Sequence, residues 1–219
     1  MPAVSSHFCK RMAVRALSDA AAVQHDVGIV RHIVRTSVAS GRLLFLGDAA
    51  VGKTALARAL SGGAGGFPRE YSQTAAPAVS SASVAVPGAA AASVNFICVD
   101  LPGGTVFNMR PGSDVSRGLL GGGVAAVAVC FSVDSRESLA AAGKWLRLAP
   151  PGLPGVLVGC KGDLRGADRA AVGPAEAGAA AAALGLHYFE CSALSGEGVR
   201  APFEWLAGEV AASLRGAGT

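Results

Sequence analysis

Apolar residues in this chain fall in short runs separated by stretches with helical spacing. The runs at 42–46, 83–86, 94–99, 124–133, 156–159 and 187–191 read as strands, and residues 53–60, 136–147, 174–184 and 202–214 read as helices. In the last helix Phe203, Leu206, Val210 and Leu214 form one apolar stripe. Pro87-Gly88 is a turn signal that joins the second and third strands into a hairpin. The alternation predicts an α/β fold: a mostly parallel six-stranded sheet with one antiparallel strand and helices on both faces. Ligands of such sheets bind at the carboxyl ends of the strands.

Residues 1–38 break this pattern. They are rich in Ala and Ser near the start, and Val27, Val30, Val34 and Val38 then recur at helical spacing opposite Arg31 and Arg35. Such a segment suits a membrane- or partner-binding helix, a transit-like peptide, or a loosely ordered basic extension. The expected organisation is therefore an extension over 1–38, one domain over 39–215 and a short tail over 216–219. A chain of 219 residues is long enough for one full core and requires no second domain.

Composition removes several function classes. Hydrophobic content is 51% with a mean hydropathy of +0.44, but much of it is alanine. The uncharged stretch 74–99 is broken by prolines and serines and is no membrane span. The net charge of +4 lies wholly within residues 1–42, so the rest is neutral and lacks a basic stripe; nucleic-acid binding is not expected. The five cysteines, at 9, 98, 130, 160 and 191, have neither metal nor disulfide spacing, which suits a reducing compartment. His7, His25, His32 and His187 form no triad or metal set.

The chemistry begins after the first strand. Gly47-Asp48-Ala49-Ala50-Val51-Gly52-Lys53-Thr54 stands between a strand and a helix, as a phosphate-gripping loop must. Its glycines let backbone N–H groups and the helix N-terminus converge on anionic oxygens. Lys53 can reach the β- and γ-phosphates, and the Thr54 hydroxyl can bind a phosphate-bound Mg²⁺. Asp100-Leu101-Pro102-Gly103 leaves the third strand, where Asp100 can hold Mg²⁺ through a water and the Gly103 N–H can sense a γ-phosphate. Taken alone this pattern is weak, since residues 163–166 match it too. Thr74 is the candidate second Mg²⁺ hydroxyl, against an ordinary loop threonine. Cys160-Lys161-Gly162-Asp163 follows the fifth strand. Asp163 can accept from N1–H and the 2-amino group of guanine, while the Lys161 stem covers the base. Charge-assisted bonds of this kind contribute roughly 1.5 to 3 kcal/mol each. Ser192, Ala193 and Leu194, after the last strand, let backbone approach the base carbonyl.

These residues, in this order over about 41–214, resemble the small GTPases of the Ras superfamily. The resemblance implies the P-loop small GTPase fold, GTP/GDP and Mg²⁺ as cofactors, Thr74 in the first switch, and Asp100 with Gly103 opening the second. Phe67, seven residues before Thr74, matches the aromatic that stacks on the base. More narrowly, residues 47–60, 152–159 and 197–207 resemble the Rab-like GTPases of intraflagellar transport. That resemblance implies a place in the cytoplasm and cilium, a partnership with intraflagellar transport protein 25 and the B complex, and a link to the BBSome.

Three positions depart from an active switch. Gly104 stands where the family's water-orienting glutamine belongs, so no catalytic side chain is assigned. Intrinsic turnover is already only on the order of 10⁻⁴ s⁻¹ in Ras-type proteins that carry it. Cys160 replaces an asparagine that would bond the base and brace the phosphate loop, a loss of roughly 1 to 3 kcal/mol. Leu194 replaces a lysine. Residues 103–123 carry seven glycines, which suits either order–disorder switching or a degenerate switch. No cysteine lies near Thr219, so a C-terminal lipid anchor is not expected. A slow or regulated GTPase switch leads; a pseudo-GTPase scaffold and a P-loop kinase are the rivals, Asp163 counting against the kinase.

Overall fold

The computed structural model describes residues 36–62, 74, 76–89, 92–103, 122–165 and 169–216, with the side chains of 36–38 and 216 left aside. Six strands form one sheet in the order β2-β3-β1-β4-β5-β6. They are β1 (Thr36–Leu46), β2 (Ala78–Ala85), β3 (Ala92–Asp100), β4 (Val124–Ser132), β5 (Gly155–Cys160) and β6 (His187–Glu190). Only β2 runs antiparallel, against β3, across the Pro87-Gly88 turn. The described helices are α1 (Lys53–Leu60), α2 (Arg136–Ala140), α3 (Ala142–Leu146), α4 (Pro174–Ala183) and α5 (Ala201–Gly216).

Parallel strands covered on both faces need apolar residues on both. The alternation of β1 and β4 shows how that demand is met. Leu43 and Phe45 join Ala126, Ala128 and Cys130 in one core, with Leu56 of α1 and Phe203 and Leu206 of α5. Leu44 and Leu46 join Val127, Val129 and Phe131 in the other, with Trp145 of α3 and Ala177 and Ala181 of α4. Phe45 and Phe203 meet at a ring-centroid distance of 5.6 Å, which ties α5 to the central strand.

Three elements differ from the sequence expectation. β1 begins at Thr36, within the stretch assigned to the extension, because it pairs with β3 from Ala92 onward. β2 begins at Ala78 rather than 83: its Ala/Ser alternation carries little hydrophobic signal, yet all eight residues pair with β3. The single helix expected over 136–147 is two, α2 and α3. The Ala141 carbonyl accepts from Lys144 N at 2.9 Å and Trp145 N at 3.2 Å, a local 3₁₀ tightening in a run of small residues.

Candidate functional site

The loops that leave β1, β3, β4, β5 and β6 all emerge at one edge of the sheet, since these strands are mutually parallel. Gly47 turns the chain out of β1 directly over the end of β4. Its φ is 143°, and a Cβ there would sit 2.2 Å from the Cys130 carbonyl oxygen, so only glycine fits. Val51 drops into the core and pins the middle of the loop. Gly52, with φ 110°, then opens α1 without any side-chain cap, which leaves the first N–H groups of the helix for an anion.

Lys53 is buried at the foot of this loop. Its Nζ donates to the Gly47 carbonyl at 2.9 Å and the Asp48 carbonyl at 2.6 Å, two of its three donors. Burial lowers its pKa from the ordinary lysine value, while Asp100 and Asp48 oppose the shift. The Asp48 carboxylate is held in turn by Trp145 of α3, whose Nε1 donates to Oδ1 at 2.8 Å. Gly103 lies against the same loop: a Cβ on it would be 2.2 Å from Ala49 N.

Beside the lysine, three oxygen-bearing side chains from three segments converge. Thr54 Oγ1 lies 2.9 Å from Thr74 Oγ1 and donates to Asp100 Oδ2. The other carboxylate oxygen, Asp100 Oδ1, is buried without a hydrogen-bond partner among the described residues. Burial raises the Asp100 pKa; the Thr54 hydroxyl and Lys53 work against it. Two hydroxyls and one carboxylate are hard oxygen donors of the kind Mg²⁺ takes, and an unpartnered buried oxygen is what a cation would satisfy. The residues therefore fit the ion.

Further along the edge, Asp163 lies in the 3₁₀ turn Gly162–Arg165, where it accepts from Ser192 Oγ at 2.5 Å. The Gly162 N–H donates to the Cys191 carbonyl at 2.9 Å, which brings the loops after β5 and β6 together. Lys161, at φ 63°, places its Nζ 3.5 Å from Asp134 Oδ2 in the loop after β4. Ala193 follows Ser192, and Leu194 is 59% exposed, outside the two hydrophobic cores.

Cys160 is buried between the two halves of the site. A Cβ on Gly52 would lie 3.2 Å from the Cys160 Cβ and 3.7 Å from its Sγ. The Cys130 thiol beside it, together with burial, pushes the Cys160 thiol well above its ordinary range. It is an apolar spacer against the phosphate loop and not a reactive thiolate.

The structure thus brings together Gly47 to Thr54, Thr74, Asp100 and Gly103 on one side, and Cys160, Lys161, Asp163 and Ser192 on the other. Phe67 and Gly104 lie outside the described residues. Sequence reasoning missed Trp145, Arg165 and Glu190. Trp145 falls on the apolar side of its helix and reads as core; Arg165 and Glu190 carry no motif.

The chain matches the Ras family over residues 42–212. It is similar to the intraflagellar transport protein 27 homolog of Homo sapiens, 36% identical over 174 residues, which cover 77% of this chain and 88% of that protein. The Bos taurus protein of the same name is 34% identical over the same shares. The GTP-binding protein RHO1 of Candida albicans is 33% identical over 74% of this chain and 84% of its own length.

Proposed function

The chain belongs to the Ras family of small GTPases, and from that premise we propose that it is a Rab-like GTP-binding protein, a slow or regulated switch of intraflagellar transport. The observation that carries the nucleotide reading is the meeting of Thr54, Thr74 and Asp100 beside Lys53, with one carboxylate oxygen buried and unpartnered. In this reading Gly47 to Thr54 hold the phosphates of GTP or GDP. Thr54, Thr74 and Asp100 (through a water) hold Mg²⁺, which when bound offsets charge on the β- and γ-phosphates. The Gly103 N–H faces the γ-phosphate. Asp163 reads guanine, Lys161 and Phe67 cover the base, and Ser192, Ala193 and Leu194 carry the backbone to its carbonyl.

Hydrolysis is slow, because Gly104 offers no side chain to orient water. Lys53 and the loop N–H groups still stabilise charge at the phosphate, so turnover falls below the roughly 10⁻⁴ s⁻¹ of intrinsic Ras hydrolysis. Similarity to the intraflagellar transport protein 27 homologs supports a place in the cytoplasm and cilium. In this proposal the chain pairs with intraflagellar transport protein 25 in the B complex and connects to the BBSome. Cys160 and Gly104 favour a second reading, a pseudo-GTPase that holds its partner without cycling.

Purified full-length protein tests this. Mass analysis of the co-purifying ligand should find GDP or GTP, lost in Lys53→Ala; no guanine nucleotide bound at high micromolar concentration leaves only the scaffold. Single-turnover hydrolysis as fast as an ordinary Ras protein would refute the slow switch.

A further inference from the structure

The turn that carries Asp163 is fastened most firmly on its β6 side. Arg165, two residues beyond Asp163, donates from Nε to Glu190 Oε1 at 2.5 Å and from a second nitrogen to Oε2 at 2.6 Å. Its remaining terminal nitrogen donates to the Val172 carbonyl at 2.8 Å, so each of the three guanidinium nitrogens makes a hydrogen bond. The Tyr188 hydroxyl donates to the same Glu190 oxygen that accepts the second Arg165 bond. Glu190 also touches the turn itself: a Cβ on Gly162 would lie 3.3 Å from Oε1. A bidentate arginine–carboxylate pair fixes direction as well as distance, which a lysine in its place could not do.

On the opposite side the fastening is weaker. Cys160 lies against Gly52 of the phosphate loop, and its thiol is occupied by Cys130, Cys191 and the Val158 carbonyl. Toward β4 the turn is held by the longer, part-exposed Lys161–Asp134 pair at 3.5 Å, so the short bidentate fork to β6 is its firmer anchor. Base reading by a carboxylate is geometrically demanding, with tolerances of about 0.5 Å for a bound group.

Resting on the guanine-nucleotide reading above, the geometry points to Arg165 and Glu190 as positioning residues for guanine selectivity. Their fork fixes the turn, and together with the Ser192 hydroxyl that donates to Asp163 Oδ1 it sets the direction of the Asp163 carboxylate. Burial alone would disfavour the Glu190 carboxylate, but the Arg165 and Tyr188 bonds outweigh it and hold its pKa below the usual range. The pair thus stays ionised at neutral pH.

GDP and IDP separate this role from a merely structural one, because IDP lacks the 2-amino group that Asp163 accepts. Affinities of the purified full chain for both are measured by displacement of a fluorescent GDP, alongside thermal unfolding. Wild-type protein should prefer GDP, and Asp163→Ala should abolish the preference. Arg165→Ala should reduce it at least about fivefold, one hydrogen bond's worth, with Arg165→Lys in between. Adding Arg165→Ala to Asp163→Ala should change the preference no further. A lowered melting temperature with the GDP/IDP ratio intact would overturn the inference. If Arg165→Ala does not fold, Tyr188→Phe decides: it should shrink the ratio, and an unchanged ratio overturns the inference. Wild-type protein that binds neither nucleotide would instead sink the function proposed above, a result distinct from an intact ratio.

Discussion

Replacing Trp145 by Phe tests whether the helical layer holds the phosphate loop in place. The indole is fully buried, and its Nε1 reaches across 97 residues of sequence to donate to Asp48 Oδ1 at 2.8 Å. Two effects follow from the substitution. A hydrogen bond to a charged acceptor contributes about 1.5 to 3 kcal/mol, and since Asp48 is half-buried, solvent screening brings this to about 1 to 1.5 kcal/mol. Loss of the larger ring leaves a cavity among Leu139, Ala142 and their neighbours, which costs about 1 to 2 kcal/mol more. Urea denaturation should therefore show Trp145→Phe destabilised by about 2 to 3.5 kcal/mol. The cavity contributes only to this number, whereas the hydrogen bond also orients the loop that Lys53 grips through the Gly47 and Asp48 carbonyls. Asp48→Ala breaks the same bond without the cavity. A double-mutant cycle should return a coupling of about 1 kcal/mol, and GDP release should quicken by about fivefold in either single variant. Coupling below about 0.3 kcal/mol, or release at the wild-type rate in Trp145→Phe, would refute the claim that the tryptophan braces the loop.

Cys160→Asn restores the amide whose absence the phosphate loop tolerates, and should slow GDP release by about five- to hundredfold; an unchanged rate would show that the packing of Cys160 on Gly52 already serves as the brace. If Asp100 holds Mg²⁺ as proposed, EDTA should speed GDP release from wild-type protein by about tenfold or more yet leave Asp100→Ala nearly unaffected. The folded-state pKa of Glu190 lies below its ordinary 4.5, so the stability it contributes is present above that pH and is lost as pH falls through the lower folded value. Wild-type protein should accordingly exceed Glu190→Gln in stability at pH 7, and the gap should shrink as the pH drops below about 4.5. A gap of constant size from neutral pH to pH 3 would contradict the ion pair.

The local parts of this site were legible in the chain. The phosphate loop is a continuous segment whose glycines and lysine act on one another within eight residues, so its pattern survives any uncertainty about distant packing. The strand-to-loop positions of Asp100 and Asp163 followed from hydrophobic runs that end just before them. β2 was half legible, because alanine and serine alternate without declaring which face is buried. The break at Ala141 was not legible, since Ala140-Ala141-Ala142 favours a continuous helix and the one glycine, Gly143, weakens a helix without fixing where it breaks.

Sequence alone determined the fold class, the order of strands and helices, and the chemistry that the loops can offer, because periodicity and turn residues report interactions between near neighbours in the chain. Tertiary structure decided which of those residues meet. The sheet order sets β3 and β4 on either side of β1 and β5 between β4 and β6, and only then do Thr54, Thr74 and Asp100 share a few ångströms, Trp145 reach Asp48, and Glu190 grip Arg165. Contacts across 20 to 97 residues of chain have no local signature, because their free energy depends on both partners' surroundings and not on the spacing between them.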